Sequence, residues 1–243
     1  MKDIILVSIY NNACVEMALN FLTSLKKVGI SDKHISYVTD QNTFDIITNN
    51  GFKAVLVQDF GLGEDKMNFA TERFNLLCFK RYNIIYELLQ KHEYVWHLDV
   101  DTVVLGDIIE YFNNRSIYHS FDMIFQNDLW ATNLCCGCML IKSSKNTLNL
   151  AKYLSAQNRS DVNDQVFLCH ILSRNDILNI GLFPFINFIN GEIYFKDAAT
   201  FPEVREVFKN SNEPLYFVHA NCMIGLETKI KALKEKGLWF LEK

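Results

Sequence analysis

The chain has 243 residues, of which 49% are hydrophobic and 21% charged, a composition typical of a globular protein with a large core. Its formal net charge is -4, so it lacks the excess of lysine and arginine with which proteins neutralise nucleic-acid phosphates. We therefore expect no nucleic-acid partner, and any bound anion must be held by local groups.

The sequence shows no recognisable targeting signal, so we expect a cytoplasmic protein. The first apolar run is short, includes Asp3 and ends before Asn11, unlike the apolar region of a signal peptide. The most apolar later stretch, residues 177–190, is interrupted by Gly181 and Pro184 and is shorter than the roughly 20 residues of a membrane-spanning helix. The seven cysteines, an odd number, are expected as reduced thiols. No transmembrane segment is expected.

The first part of the chain alternates short apolar runs with longer helical segments. We predict strands at residues 3–9, 34–40, 52–58 and 93–99, and helices at residues 14–28, 42–50 and 68–92. The strands are apolar on successive residues, which is typical of parallel strands covered on both faces. The pattern predicts an α/β fold with a Rossmann-like, mostly parallel sheet and helices on both faces.

The second part of the chain has a mixed pattern. We predict strands at residues 120–126, 136–143 and 214–220, and helices at residues 146–156, 163–172 and 229–236, with Asn163 as a helix cap. No repeat or linker separates the two parts. We therefore expect one domain over residues 1–243, with a first half to about residue 105 and a mixed half from about residue 106.

Two carboxylates follow the fourth predicted strand in "VWHLDVDTVVLGDI", residues 95–108. At positions i and i+2 of a strand, Asp99 and Asp101 face the same side, at the edge where parallel sheets bind ligands. Like charges this close favour a divalent cation with open positions for phosphate oxygens. Two other interpretations remain: a solvated strand end, and a haloacid-dehalogenase-like phosphatase in which Asp99 is the nucleophile. That phosphatase family normally begins its core domain with this strand, whereas here nearly a hundred residues of α/β pattern precede it.

In the order of several motifs the sequence resembles the nucleotide-diphospho-sugar transferase family. The members of this family are metal-dependent glycosyltransferases of the GT-A fold. The motifs are "ILVSIYNN", "FKRYNIIYELL", the Asp-x-Asp pair, "LCCGCMLIKSS", "NDQ" and "FVHANCMIG". The resemblance implies that Asp99 contacts the sugar nucleotide and that Asp99, Asp101 and His219 surround Mn²⁺ (or Mg²⁺). Imidazole beside carboxylates suits Mn²⁺ better.

The resemblance also implies contacts with the donor. Lys80 matches a basic position of the family, Asp164 and Gln165 border the donor sugar and acceptor as catalytic candidates, and Gly137 lets the backbone approach the sugar. Arg81 lies within the apolar arc of its predicted helix and needs an anion. That anion is either an acidic side chain, or a phosphate or a carboxylate near the metal.

Four residues near the ends of the first two strands complete the implied donor site. Ser8, Tyr10 and Asn11 follow the first strand, where a uracil or guanine base and its ribose are expected, and Asp40 ends the second strand. Each of them taken alone is also an ordinary turn residue.

The resemblance implies transfer of a hexose or pentose from a UDP-sugar or GDP-sugar to a glycan or glycoprotein hydroxyl, with retention of anomeric configuration. Two other classes stay open. A nucleotidyltransferase normally opens with a Gly-rich phosphate loop that "VSIYNNACVEM" lacks. A binding module without catalysis would keep Asp101 and His219 but release no nucleotide.

Overall fold

The computed structural model describes residues 2–57, 71–129, 134–157, 159–174, 176–196 and 200–241. Within these ranges the strands are β1 Ile4–Tyr10, β2 His34–Val38, β3 Ala54–Leu56, β4 Tyr94–Leu98, β5 Thr102–Val104, β6 Met123–Asn127, β7 Leu134–Lys142, β8 Ile180–Phe183, β9 Phe188–Ile189 and β10 Phe217–His219. The α-helices are α1 Val15–Lys27, α2 Gln41–Asn49, α3 Glu72–Leu89, α4 Ile108–Asn113, α5 Lys145–Ser155, α6 Asp164–Leu172, α7 Gly191–Phe195, α8 Pro202–Lys209 and α9 Leu226–Glu235.

Seven strands form the main sheet in the order β3-β2-β1-β4-β7-β6-β8. The first four strands of this order pair in parallel, as the alternating pattern of the first part predicts. β7 pairs antiparallel with both β4 and β6, and β8 is parallel to β6. The predicted α/β class, with a mostly parallel first half and a mixed second half, is confirmed.

A second sheet has three strands in the order β5-β10-β9. β10 is antiparallel to β5 and parallel to β9. The chain leaves the main sheet at the end of β4 and enters the small sheet at β5, with three residues between the two strands. The two aspartates lie in this passage, so both sheets determine their position.

Both faces of the main sheet are buried. Leu6 and Trp96 belong to an apolar cluster on one face, whereas their chain neighbours Val7 and Val95 belong to a second cluster. Burying a side chain of this size stabilises the fold by about 1.5–3 kcal/mol. The successive apolar residues of the parallel strands thus follow from helices on each side.

Side-chain caps fix the starts of several helices. Asp40 accepts a hydrogen bond from Thr43 N–H at the start of α2, and Asp107 caps α4. Asn163 accepts from Gln165 N–H at the start of α6, so its predicted cap is confirmed. Each cap satisfies a backbone N–H that has no partner within its helix.

The predicted element bounds differ from the observed ones by a few residues. α3 begins at Glu72, and residues 68–70 of its predicted start lie outside the described residues, as does residue 58 of the third predicted strand. None of the helices in the described ranges combines the length and the apolar character that crossing a membrane requires. The cytoplasmic location stays a prediction.

Candidate active site

Asp99 and Asp101 lie in the turn between β4 and β5, so neither belongs to a strand. The prediction that strand alternation orients them is therefore wrong. Backbone hydrogen bonds from the two sheets fix the turn instead: Asp99 N–H donates to the Gly137 carbonyl and Ala220 N–H donates to the Asp101 carbonyl, both at 2.8 Å. The Thr102 hydroxyl also donates to the Asp99 carbonyl at 2.7 Å.

The pairing of β10 with β5 brings His219 to the two aspartates. His219 lies opposite Thr102, and its Nε2 is 3.1 Å from Asp101 Oδ1. One ligand atom each of Asp99, Asp101 and His219 lies within 4.8 Å of the others. Two carboxylate oxygens and an imidazole nitrogen at this spacing are a set of groups that can hold a divalent metal ion.

Gln126 sets the hydrogen positions on the His219 ring. Gln126 Nε2 donates to the Ile189 carbonyl at 2.9 Å, so its Oε1 faces His219 Nδ1 at 2.8 Å. Nδ1 must then carry hydrogen, and in the neutral ring Nε2 presents its lone pair towards Asp101. When Nε2 carries hydrogen it donates to Asp101, and when it does not its lone pair is free for a metal ion beside both, so this arrangement fits a metal ligand oriented by its neighbour.

Gly137, in β7, leaves the space that this group occupies. A Cβ atom at this position would lie 2.5 Å from His219 Cε1 and 2.6 Å from Asp99 Oδ2. Any side chain here would displace both residues, which gives glycine a physical reason at this position. The predicted contact of Gly137 with the sugar stays a prediction.

Lys229, in α9, supplies a cation that the sequence did not indicate. Its Nζ lies 2.6 Å from Asp101 Oδ2, and the two side chains are 22% and 15% exposed. Burial alone would raise the pKa of Asp101, but the charges of Lys229 and His219 outweigh it and hold that pKa well below its usual range. Burial lowers the pKa of Lys229, and Asp101 more than compensates and raises it. Both partners are therefore ionised.

Arg81, in α3, connects Asp99 with Asp164. Its Nη1 lies 3.5 Å from Asp99 Oδ1 and its Nε lies 3.3 Å from Asp164 Oδ2. Nη1 also donates to the Cys136 carbonyl at 3.1 Å, and Nε to the Cys78 carbonyl at 2.9 Å. The anion that Arg81 needs is thus supplied by two aspartates, one of which is a predicted metal ligand.

Asp99 is the more accessible carboxylate of the site, with 41% of its side chain exposed. Burial of its surroundings would raise its pKa, but a hydrogen bond to His97 at 3.1 Å and the charge of Arg81 lower it to about 2. Solvent screens these interactions at an exposed side chain. Asp99 is therefore an ionised carboxylate that faces a prospective ligand.

Asp164 and Gln165 begin α6 beside this group. Asp164 is 2% exposed and accepts a hydrogen bond from the Tyr82 hydroxyl at 3.1 Å. Gln165 is half-buried, its Oε1 accepts from Cys136 N–H, and its Nε2 donates to Asp128, both at 3.0 Å. The structure brings both residues to the site, and their roles towards a sugar stay predictions.

Ser8 and Tyr10 lie within β1, which continues to Tyr10. Both are buried: the Ser8 hydroxyl donates to the Leu98 carbonyl at 2.6 Å, and the Tyr10 hydroxyl donates to Ser36 Oγ at 2.7 Å. These hydroxyls link β1 to β4 and β2. Their predicted contact with a nucleotide is not supported by this placement, because each side chain points into the core.

Among the other predicted donor contacts, Asp40 follows β2 and Asn11 follows β1, whereas Lys80 lies in α3. Asp40 is buried, and its carboxylate accepts from Thr43 N–H, from the Thr43 hydroxyl and from Asn12 N–H, each at 2.8 Å. A helix cap explains Asp40 fully. Asn11 is buried at the end of β1, and Lys80 is half-buried in α3. Nucleotide contacts by these three stay predictions.

The chain matches a known protein family over most of its length. Residues 30–233 match the nucleotide-diphospho-sugar transferase family. A UDP-galactose:fucoside alpha-3-galactosyltransferase of Dictyostelium discoideum is 21% identical over 93% of this chain, which spans 41% of that relative. These matches confirm the resemblance drawn from the motifs, and they give the phosphatase alternative no support.

Solved structures show the same fold. The glycosyltransferase GlyE of Streptococcus pneumoniae TIGR4 matches with a TM-score of 0.60 at 16% identity, over 100% of this chain and 66% of that one. Mouse xyloside xylosyltransferase 1 matches with a TM-score of 0.55 at 12% identity, over 90% and 98%. The predicted GT-A fold is confirmed.

Proposed function

The chain belongs to the nucleotide-diphospho-sugar transferase family, and from this premise we propose that it transfers a sugar from a nucleotide-diphosphate donor to a hydroxyl acceptor. The observation that carries this proposal is the convergence of Asp99, Asp101 and His219, with ligand atoms within 4.8 Å of one another. Asp99, Asp101 and His219 would hold Mn²⁺ in preference to Mg²⁺, because one ligand is imidazole.

When bound, the ion supplies a Lewis acid for the departing nucleoside diphosphate, whose negative charge grows as the glycosidic bond breaks. The chain's own residues supply the ligands and their orientation. Gln126 keeps His219 Nε2 directed at Asp101, and Arg81 and His97 hold the Asp99 carboxylate. These contacts favour a preorganised site.

The positive charge of Lys229 can serve the site in two ways, by neutralising Asp101 and by binding the diphosphate. Its ammonium neutralises Asp101 at 2.6 Å, and it can leave once another cation neutralises that carboxylate. An ammonium released in this way could donate a hydrogen bond to a diphosphate oxygen of the donor. We assign Lys229 to the diphosphate for this reason.

We assign contacts with the donor sugar to the residues at the start of α6. Gln165 offers an amide edge to a sugar hydroxyl, and Asp164 sets the position of Arg81. The resemblance favours retention, so that an α-linked donor gives an α-linked product. We assign nucleotide binding to about residues 1–105, with Tyr10, Asn11, Asp40, Lys80 and the backbone at Ser8 as the residues to test.

The donor and acceptor classes follow from the relatives. A relative named for UDP-galactose supports a UDP-sugar, and its name as a fucoside galactosyltransferase supports a glycan or glycoprotein hydroxyl as acceptor. The fold is shared with a xylosyltransferase, so hexose and pentose donors both belong in the assay.

A donor panel tests the proposed function. We expect the protein to release nucleotide from one UDP-sugar or GDP-sugar when Mn²⁺ and an acceptor are present. Asp101→Ala should remove the metal-dependent part of this release, and Asp122→Asn, in which the same kind of side chain is changed at the far end of β6, should retain it. Metal-dependent release that persists in Asp101→Ala would overturn the assigned site, and absence of release from all donors would contradict transfer.

A further inference from the structure

A buried carboxylate outside the metal-binding group joins three segments around the site. Asp128 follows β6 and is 8% exposed. Its Oδ1 accepts from Asn221 Nδ2 at 2.9 Å and its Oδ2 accepts from Gln165 Nε2 at 3.0 Å. Its carbonyl also accepts from Asn190 Nδ2 at 3.2 Å. The loop after β6, the start of α6 and the loop after β10 therefore meet at one side chain.

Backbone donors fix the direction of both amides that contact Asp128. Cys136 N–H donates to Gln165 Oε1 at 3.0 Å, and Gly191 N–H donates to Asn221 Oδ1 at 2.7 Å. A backbone N–H can only donate, so each amide must turn its oxygen towards that N–H. Its NH₂ group then faces Asp128. The central side chain must accept on both sides, which an ionised carboxylate does and an amide of the same shape does not.

This hydrogen-bonded chain, from Cys136 through Gln165, Asp128 and Asn221 to Gly191, lies against a predicted metal ligand. Asn221 Nδ2 is 3.7 Å from Cys135 Sγ, which is itself 3.7 Å from His219 Nδ1. The amide of Gln165 and the environment of His219 therefore depend on the same carboxylate.

The backbone next to both ends of the central contact is strained. Leu129, which follows Asp128, has a φ of 60°, and Cys222, which follows Asn221, has a φ of 59°. Residues with side chains adopt this left-handed conformation rarely and at a cost. Strain of this kind persists only where the surrounding structure requires it, and here each strained residue directly follows one of the two residues, Asp128 and Asn221, whose side chains form the contact.

We infer that Asp128 is a positioning residue that fixes the amide of Gln165 in one orientation, so that a sugar hydroxyl meets a set pattern of donor and acceptor. This inference rests on the proposed function. Burial raises the pKa of Asp128, and hydrogen bonds from Gln165 and Asn221 together with the charge of His219 oppose that rise. The two NH₂ groups that donate to its oxygens call for an acceptor on each side, a role that a carboxylate fills and an amide cannot.

Exchanging the two side chains of the contact tests this role. In Asp128→Asn, an NH₂ group faces one of the two amide donors, or Gln165 turns over and loses Cys136 N–H. In the double variant Asp128→Asn with Asn221→Asp, the carboxylate lies at position 221. There it accepts from both Gly191 N–H and the new amide, while the oxygen of that amide accepts from Gln165. The double variant restores every hydrogen bond of the chain from Cys136 to Gly191, with the same net charge.

We expect Asp128→Asn to lower kcat roughly 10- to 100-fold, the range found when residues that orient a site are changed, with the KM for the donor changed far less. The double variant should recover most of the lost kcat, and Asp122→Asn should behave as wild type. Unchanged kcat in Asp128→Asn, or a folded double variant no better than its single parents, would overturn the inference.

Thermal unfolding of the wild type, Asp128→Asn, Asn221→Asp and the double variant separates the two proposals. The double variant should recover the Tm lost in each single variant, because the hydrogen bonds return whether or not a sugar is transferred. Recovery of Tm without recovery of kcat would show a structural contact only and overturn the positioning role. Absence of turnover in the wild-type chain, with the Tm cycle intact, would instead count against the proposed function.

Discussion

Two ion pairs in the site share one chemistry and differ in their surroundings. Lys229 holds Asp101 through one contact at 2.6 Å, with side chains that are 22% and 15% exposed. Arg81 holds Asp164 with side chains that are 7% and 2% exposed, and also donates to two backbone carbonyls. A lysine on a flexible stem can change partners, whereas the arginine is fixed by five neighbours.

The difference separates an exchangeable cation from a permanent one. The pair of Arg81 and Asp164 should stay formed whether or not a ligand is bound, because breaking it would leave a charge buried without a partner. We propose that the Lys229 pair neutralises Asp101 only until a divalent cation binds there. Each prediction below changes one side of this comparison.

Removal of the fixed pair should have the largest effect. Arg81→Met leaves Asp164 buried and unpaired, so the free energy of unfolding should fall by about 3–5 kcal/mol. Urea denaturation measures this change. Arg159→Met is the matched control, because Arg159 pairs with Asp161 at the surface and its loss should change stability far less. Equal losses in the two variants would contradict the distinction.

Removal of the residue that orients His219 should have an intermediate effect. Gln126→Leu leaves His219 Nδ1 without its acceptor, so the ring can turn or carry hydrogen on Nε2, and Mn²⁺ affinity should fall roughly 10- to 100-fold. Gln126→Glu keeps an acceptor and should retain most of the affinity. Isothermal titration of both variants with Mn²⁺ measures the difference, and equal affinities in the leucine variant and wild type would be against the account.

Removal of the exchangeable cation should have the smallest effect, in the opposite direction. Without a nucleotide, Lys229→Met should bind Mn²⁺ more tightly by roughly tenfold, or about 1.4 kcal/mol, because no tethered cation competes for Asp101. With UDP present this gain should shrink or reverse, since the diphosphate loses its ammonium partner. Lys231→Met, which changes an exposed lysine of the same helix, should match wild type. Weaker Mn²⁺ binding in Lys229→Met without nucleotide would refute the exchange.

The sequence was sufficient for the elements that depend on local pattern. Successive apolar residues indicated buried parallel strands, and Asn163 indicated a helix cap, because both signals arise from neighbouring residues. It also indicated Asp99, Asp101 and His219, through motifs whose order resembles a family. It ended β1 one residue too early, at residue 9, whereas Tyr10 is the last residue of the strand, and it did not show that the Ser8 side chain points into the core.

The partners of the site could not be predicted in the same way. Lys229 lies 128 residues after Asp101, and Gln126 lies 93 residues before His219. Their contacts depend on the insertion of β10 between β5 and β9, a pairing that no local period encodes. Arg81 was indicated as a buried cation, but only the fold showed that two aspartates neutralise it.

Binding of Mn²⁺ to Asp101 is the central claim, and electron paramagnetic resonance of Mn²⁺ in the presence of UDP tests it most directly. Free Mn²⁺ gives a signal that is lost on binding, so the titration counts bound ions. We predict one bound ion per chain for the wild type and for Asp122→Asn, and loss of that binding in Asp101→Asn. Equal Mn²⁺ binding by wild type and Asp101→Asn would contradict the account.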